Sequence, residues 1–375
     1  MLADEEIYHR IALTLVPGIG SIRAKRLLEH FGSAAAIFQV GPDAVHHRAI
    51  SRALRGFADF AAVERTLAFV RKHDIRIYCP PDPEYPARLK ECPDPPAVLY
   101  YKGNADLNPP RVLSIVGTRT PSTYGQQAVR ALLRELAPYR VLIVSGLADG
   151  IDAIAHRYAM DNGLPTIGVL GHGLDTIYPA GNRLLAKAML ERGGLLTEFR
   201  EGVGPEISHF PIRNRIIAGI PEATVVVESG VKGGSMLTAN LALGYEREVF
   251  AVPGRITDAK SKGCNDMISR KDASFVASGA DIAQLLNWGP PPRPVAAGPY
   301  PCDTGAPSDE PAGLAEDAAS ASPLLDILRN RDFVHLDELR ARSLLTPSAL
   351  AARLLDLELR QVIEALPGSR YRLGS

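Results

Sequence analysis

Arg111–Gly125, RVLSIVGTRTPSTYG, is the stretch on which the fold turns. Val112–Val116 is short, apolar and β-rich, the pattern of a buried strand. Gly117 breaks it, and Ser122 begins a predicted helix that runs to about Ala137. Strand, glycine turn and helix N-terminus make a concave anion site, because unpaired backbone N–H groups and the positive end of the helix dipole point the same way. Arg119 adds a fixed charge whose fork of donors suits a phosphate. Gly117 and Gly125 lack G-x-G-x-x-G spacing, and no Walker A loop is present. The same residues also fit the first strand and turn of any α/β domain.

Strand and helix patterns alternate downstream. Val141–Ser145, Thr166–Leu170, Gly194–Glu198, Ala223–Glu228 and Glu248–Val252 are the further predicted strands. Such repeats predict an α/β fold, a doubly wound, Rossmann-like, mostly parallel sheet with right-handed crossovers. Gly117, Gly146, Gly171, Gly230 and Gly254 fall at the strand ends that line the crevice in such a fold, where they permit close approach of a ligand.

Two more stretches carry candidate chemistry. In Ser208–Gly219, SHFPIRNRIIAG, Arg213 and Arg215 flank Asn214 just after a proline. In Ser229–Ala242, SGVKGGSMLTANLA, the turn Gly233-Gly234-Ser235 opens a predicted helix with Lys232 beside it, a second strand-end anion site. No nucleophile–base pair emerges, since Ser145-Gly146 lacks the G-x-S-x-G elbow. Asp152 and His156, one helical turn apart, fit a helix-surface pair. Glu198 and Glu228 fit ion pairing with Arg213 or Arg215 better than acid–base catalysis.

The flanks divide the chain. Residues 1–75 read as a helical domain, in which Leu13–Ser33 has the form of a helix–hairpin–helix (SAM-like) module: a helix ending at Pro17, a Gly18-Ile19-Gly20 turn, and Ser21 placed to cap a second helix. Its turn fits either DNA phosphate contact or plain helical packing. Residues 76–110 are a proline-rich connection, unsuited to helix or central strand, although Val98–Gly103 can add a strand to the main sheet. Residues 111–289 form the Rossmann-like core. Residues 290–322, with one base and five acids, read as a disordered linker. Residues 323–375 read as a winged helix: short helices at Pro323–Asn330 and Leu336–Arg342, a third to about Leu357, and a hairpin. Leu350, Leu354, Leu355 and Leu357 against the single base Arg353 point that third helix to packing or protein contact rather than a DNA groove.

Bulk properties narrow the class. Of the 375 residues, 46% are apolar and 22% charged, and the formal net charge is zero, so the chain as a whole is not a basic DNA-coating protein. Residues 1–110 hold 14 basic and 13 acidic side chains, 111–289 hold 19 and 17, and 290–375 hold 9 and 12, so a nucleic-acid surface must be a local patch. Cys79, Cys92, Cys264 and Cys302 form no C-x-x-C, and no H-E-x-x-H occurs, which argues against a metal centre. No apolar run reaches the length of a membrane span. MLADEEIYHR opens with acids where a signal peptide needs positive charge, and a cytoplasmic protein is expected.

GTRTPSTYG, VSGLADGIDAIAHRYA, TIGVLGHGLDTIYPAGNRLL, FPIRNRIIAG, VVVESGVKGGSMLTANLA and VFAVPGRI…GCNDMI, in that order over about residues 110–285, closely resemble the DNA-processing protein A (DprA/Smf) family. The resemblance implies a single-stranded DNA-binding protein of natural transformation, without catalytic turnover or cofactor. Such a protein protects incoming strands, dimerises through its Rossmann-like domain, and loads the recombinase RecA onto strands coated by single-strand-binding protein. The family's phosphate motif falls on Gly117, Thr118 and Arg119, its second basic cluster on Arg213 and Arg215, and its glycine turn on Gly233, Gly234 and Ser235; Asn214 lies within the second cluster and Lys232 is added from position alone. Tyr124, Tyr178 and Phe210 are candidates for base stacking or for core. The competing reading is an enzyme of the lysine-decarboxylase-like type that cleaves nucleotide glycosidic bonds. That family follows its glycine turn closely with a glutamate, whereas here the first carboxylate after Ser235 is Glu246.

Overall fold

A computed structural model of the chain describes residues 2–40, 44–45 and 47–291, and toward the C-terminus residues 333–335, 338–339, 350, 354, 357, 362–366 and 370–373. The chain divides into two compact units, Met1–Gly298 and Pro299–Ser375.

Among its described residues the first unit begins with the helices α1 (Asp4–Leu15), α2 (Ser21–Phe31), α3 (Ala34–Gln39), α4 (Arg48–Arg55) and α5 (Phe60–Lys72). The turn between α1 and α2 needs Gly18 at φ +81°, a conformation that glycine adopts without strain. Ser21 does not cap α2 as expected. Gly20 is the N-cap, without a side-chain hydrogen bond, and Ser21 is the first helical residue.

The rest of the unit is one nine-stranded sheet. Its elements in order are β1 (Arg76–Tyr78), α6 (Ala87–Glu91), β2 (Leu99–Gly103), β3 (Val112–Gly117), α7 (Thr123–Leu136), β4 (Leu142–Ser145), α8 (Ile151–Asp161), β5 (Thr166–Val169), α9 (Arg183–Arg192), β6 (Gly194–Thr197), α10 (His209–Gly219), β7 (Ala223–Val227), α11 (Gly234–Gly244), β8 (Glu248–Ala251), α12 (Lys262–Arg270), β9 (Ser274–Phe275) and α13 (Gly279–Leu285). Across the sheet the order is β1-β2-β6-β5-β4-β3-β7-β8-β9. From β6 to β9 all pairs are parallel, while β1–β2 and β2–β6 are antiparallel.

The proline-rich connection is more ordered than its composition suggests. It supplies β1 and the single-turn helix α6, where Pro86 sits at the N-cap and its missing N–H costs nothing. Leu99–Gly103 does join the sheet, as expected.

Alternation along β3 sorts the core into two layers. Leu113 and Ile115 pack with Val129, Leu132 and Leu133 of α7 and with Ile151 and Ala155 of α8. Val112 and Val116 pack on the other face with Ile216 and Ile217 of α10 and Ala239 and Ala242 of α11. Ser114, wholly buried between, donates to the Ile217 carbonyl at 2.6 Å, so its hydroxyl is satisfied. Helices on both faces bring the carboxyl ends of β3 and β7 side by side, with Gly117 paired to Val227, at the point where strand order reverses.

The second unit has a three-stranded antiparallel sheet, with β10 (Val334–His335) and β11 (Ile363–Leu366) flanking β12 (Arg370–Leu373). Leu350, Leu354 and Leu357 are buried with Val334, Leu339 and Ile363. Those leucines are therefore a core stripe at helical spacing, and their apolar character says nothing of what the opposite face contacts. The predicted helix Pro323–Asn330, Leu355 and Cys302 lie outside the described residues, as does all of the predicted linker except residues 290–291.

Candidate functional site

A cavity of about 380 Å³ opens at the β3/β7 switch point, where ligands bind in sheets of this topology. Gly117, Thr118 and Arg119 reach it from the end of β3. Arg213 and Asn214 reach it from α10, and Gly233, Gly234 and Ser235 from the start of α11. Eight of the ten sequence-predicted residues thus line one cavity. Arg215 and Lys232 do not.

Arg213 is the unusual member. It is 4% exposed and, among the described residues, makes no ion pair within 4.0 Å, yet it lies beside Asp152 at the start of α8. Asp152 is itself held by the Gly146 N–H at 3.1 Å. A Cβ on Gly146 would overlap the Arg213 guanidinium, so glycine at the end of β4 is what makes room for the arginine. Burial pulls the Arg213 pKa down to about 10, with Asp152 opposing and Arg119 adding to the fall. The group stays charged at neutral pH. Among the described residues its Nε has no hydrogen-bond partner. A buried, charged donor left unpaired is costly, unless an anion from outside completes it.

Arg119 is exposed on the facing loop. Its guanidinium carbon lies 5.7 Å from the Phe210 ring centroid, and that of Arg213 lies 5.9 Å from the same ring. The two cations therefore share one wall, and Phe210 is a platform between them. Tyr178, half-exposed, tilts against Phe210 at 6.0 Å. Tyr124 is also half-exposed and donates to the Pro253 carbonyl at 2.6 Å. The loop bearing Arg119 is braced on α8: Ile151 N–H donates to Thr118 O at 3.1 Å, and Gly150, at φ +82°, leaves space for the Thr118–Arg119 backbone.

The helix N-terminus expected to hold an anion is already filled. Glu228, 2% exposed, accepts from Ser122 N–H at 2.8 Å and from the Ser122 hydroxyl. The protein's own carboxylate thus neutralises the positive end of α7. The open helix end at the cavity is that of α11. Its N-cap is Gly233, with no side-chain cap, and Ser235 directs its hydroxyl to Ser229 Oγ at 2.8 Å.

Arg215 departs from expectation too. It is buried, and its guanidinium binds Glu198, the Asp94 carbonyl and, at 2.9 Å, the Ser21 hydroxyl. It fastens the α1–α2 hairpin to the core, and the expected Glu198 pairing is realised there. Lys232 is exposed beside the glycine turn, outside the cavity. Asp152 and His156 are not a surface pair, because both are buried. His156 Nδ1 lies 2.6 Å from Thr166 Oγ1, and burial, with Arg213 adding to it, lowers its pKa to about 3.

Two contributors escaped sequence reasoning. Asp152 seats Arg213; its signal was an acid in the first turn of a helix that follows a glycine-rich strand end. Lys260 donates to the Thr120 carbonyl, beside Arg119. Its signal was a loop with Arg255, Lys260 and Lys262 after the end of β8. Among the described residues no cluster of His, Cys, Asp or Glu could hold a metal, and no helix is long and apolar enough to cross a membrane.

The chain is similar to known proteins along most of its length. A family model for DNA recombination-mediator protein A matches residues 76–287, and one for the DprA winged helix domain matches residues 308–369. Protein Smf of Synechocystis is 31% identical, over 99% of this chain and 100% of that protein. The X-ray structure of DNA processing protein A from Streptococcus pneumoniae aligns with a TM-score of 0.66 at 32% identity, covering 76% of this chain and 98% of that one. DNA processing protein A from Helicobacter pylori, described for its single-stranded DNA binding mode, aligns at 0.52 and 29% identity, over 57% of this chain and 96% of its own.

Proposed function

Because the chain belongs to the DNA recombination-mediator protein A (DprA/Smf) family, we propose that it binds single-stranded DNA in the Arg119–Arg213 cavity, without catalytic turnover. The observation that carries this reading is Arg213: a buried guanidinium with an unpaired Nε, across Phe210 from Arg119 and beside the open end of α11. Phosphate oxygens complete Arg213 and meet Arg119 and the α11 N–H groups, and a base face lies on Phe210. Backbone N–H groups and guanidinium forks grip phosphate whatever the sequence, which suits a protein that handles arbitrary strands. Asp152 and Glu228, the carboxylates nearest the crevice, are committed to Gly146 and Ser122, which leaves little for glycosidic-bond chemistry.

In the cell, the same reading makes the protein a cytoplasmic dimer, joined through its Rossmann-like core. It shields single strands entering by natural transformation and hands them, coated by single-strand-binding protein, to RecA.

The test is fluorescence anisotropy on labelled oligothymidine over a salt series. Arg119→Ala should make the log–log salt slope shallower by about 0.7, the value of one phosphate contact on a single strand. A wild-type slope near zero overturns the reading, as does free base released from nucleoside monophosphates.

A further inference from the structure

A second and larger cavity, of about 830 Å³, lies on the other side of α10, between the α1–α2 hairpin and the core. We propose that it is a second contact site for the same DNA strand, so that one strand crosses the N-terminal turn of α10 and occupies both cavities. This rests on the single-stranded DNA reading above.

Three observations point to a strand. The first is charge. Arg23 and Arg26, three residues apart on α2 and both exposed, border the cavity; Arg23 also donates to the Gly18 carbonyl at 2.6 Å, and Arg200, at the same border, is paired with Glu201. The cavity's acids are Asp94 and Glu198, and Glu198 is already paired with Arg215. The free balance is positive, and Arg23 and Arg26 share one face of α2. Gly20–Arg23, the uncapped start of α2, line the same space.

The second is the wall. Ile22 is 49% exposed and Ile212 is 42% exposed, and both border the cavity. Apolar side chains beside exposed arginines suit a nucleotide, which offers a flat base and a phosphate together. Glu198 adds an acceptor, for its Oε1 is buried without a hydrogen-bond partner, and base edges carry N–H donors.

The third is continuity. Pro211 borders the smaller cavity and Ile212, its neighbour in the chain, borders the larger. Arg213 serves the first and Arg215 underlies the second. A free mononucleotide needs only one cavity; a strand spans both.

The experiment uses the full chain and oligothymidines of about 6 and about 20 nucleotides, short and long relative to usual site sizes. For the double variant Arg23→Ala/Arg26→Ala, the salt slope on the long strand should become shallower by about 1.4, two contacts' worth, with the short strand unchanged. Ile22→Glu, at an exposed position, should weaken long-strand binding in the same length-dependent way and keeps the test open if the double variant does not fold. Unchanged long-strand binding overturns the inference, and so does an equal loss at both lengths. Arg119→Ala on both strands tests the smaller cavity separately. Should it weaken neither strand, the primary reading fails, whatever Arg23 and Arg26 do.

Discussion

Gly146→Ala is the sharpest test of how the cavity is built. Residue 146 carries no charge and donates only its backbone N–H, to Asp152 at 3.1 Å. A methyl group there would overlap the Arg213 guanidinium and come within 2.7 Å of Asp152 Oδ2. The arginine must leave its seat or the strand must shift. Overpacking of this kind costs about 1–3 kcal/mol, read as a lower urea midpoint with the slope of the unfolding curve unchanged. If Arg213 leaves, one phosphate contact goes with it, and the salt slope on single strands becomes shallower by about 0.7. Between 50 and 200 mM salt the gap between variant and wild type then narrows by about 2.6-fold, since a fourfold change in salt raised to the power 0.7 is about that size. Anisotropy titrations at both salt concentrations measure this directly. Arg213→Met should give the same change in slope, and with it the destabilisation of a buried Asp152 left without its cation. A Gly146→Ala protein with wild-type stability and a wild-type salt slope would refute the packing of Arg213 against Gly146.

Three further outcomes follow from the same geometry. His156, with a folded pKa near 3 against about 6.5 unfolded, binds fewer protons in the native state; stability should hold above about pH 6.5 and fall by about 1.4 kcal/mol per unit below it, down toward pH 3. Unfolding free energies of wild type and His156→Gln, from urea titrations between about pH 6 and pH 4, should differ in pH slope by this amount, and parallel curves would contradict it. Arg215→Ala strands the Glu198 carboxylate and should cost about 3 kcal/mol or more in urea unfolding, while the salt slope on short oligonucleotides stays that of wild type; a shallower slope there would return Arg215 to the DNA contacts. Glu228→Gln removes the resident charge at α7 and should lower stability by about 1 kcal/mol, and an unchanged melting temperature would count against the carboxylate's part in holding that helix end.

The alternation of apolar runs and helical patterns made the parallel strands legible, because a strand buried on both faces must be nearly all apolar, as Val112–Val116 is apart from Ser114, whose hydroxyl is tied to the Ile217 carbonyl. What the chain does at Arg213 and Arg215 was legible in principle but was read as one cluster. Two residues apart on a helix are about 200° apart around its axis, so a pair that looks joined in sequence is split between two cavities in space. Glu228 was not legible at all in its actual role. Its carboxylate meets Ser122 across the sheet, and nothing near residue 228 announces that a helix begun 106 positions earlier lacks a counter-charge. The same holds for β1, where proline composition argued for irregular chain and tertiary pairing with β2 decided otherwise.

The antiparallel strand β2 sets a schedule for making the protein. Tyr100 hydrogen-bonds alongside Thr197, a residue that leaves the ribosome only after three further strands and their helices have been synthesised. Until then β2 can pair only with β1, as a two-stranded antiparallel ribbon. The nascent chain therefore carries an uncovered sheet edge through much of its translation, and an edge of that kind invites the wrong neighbour.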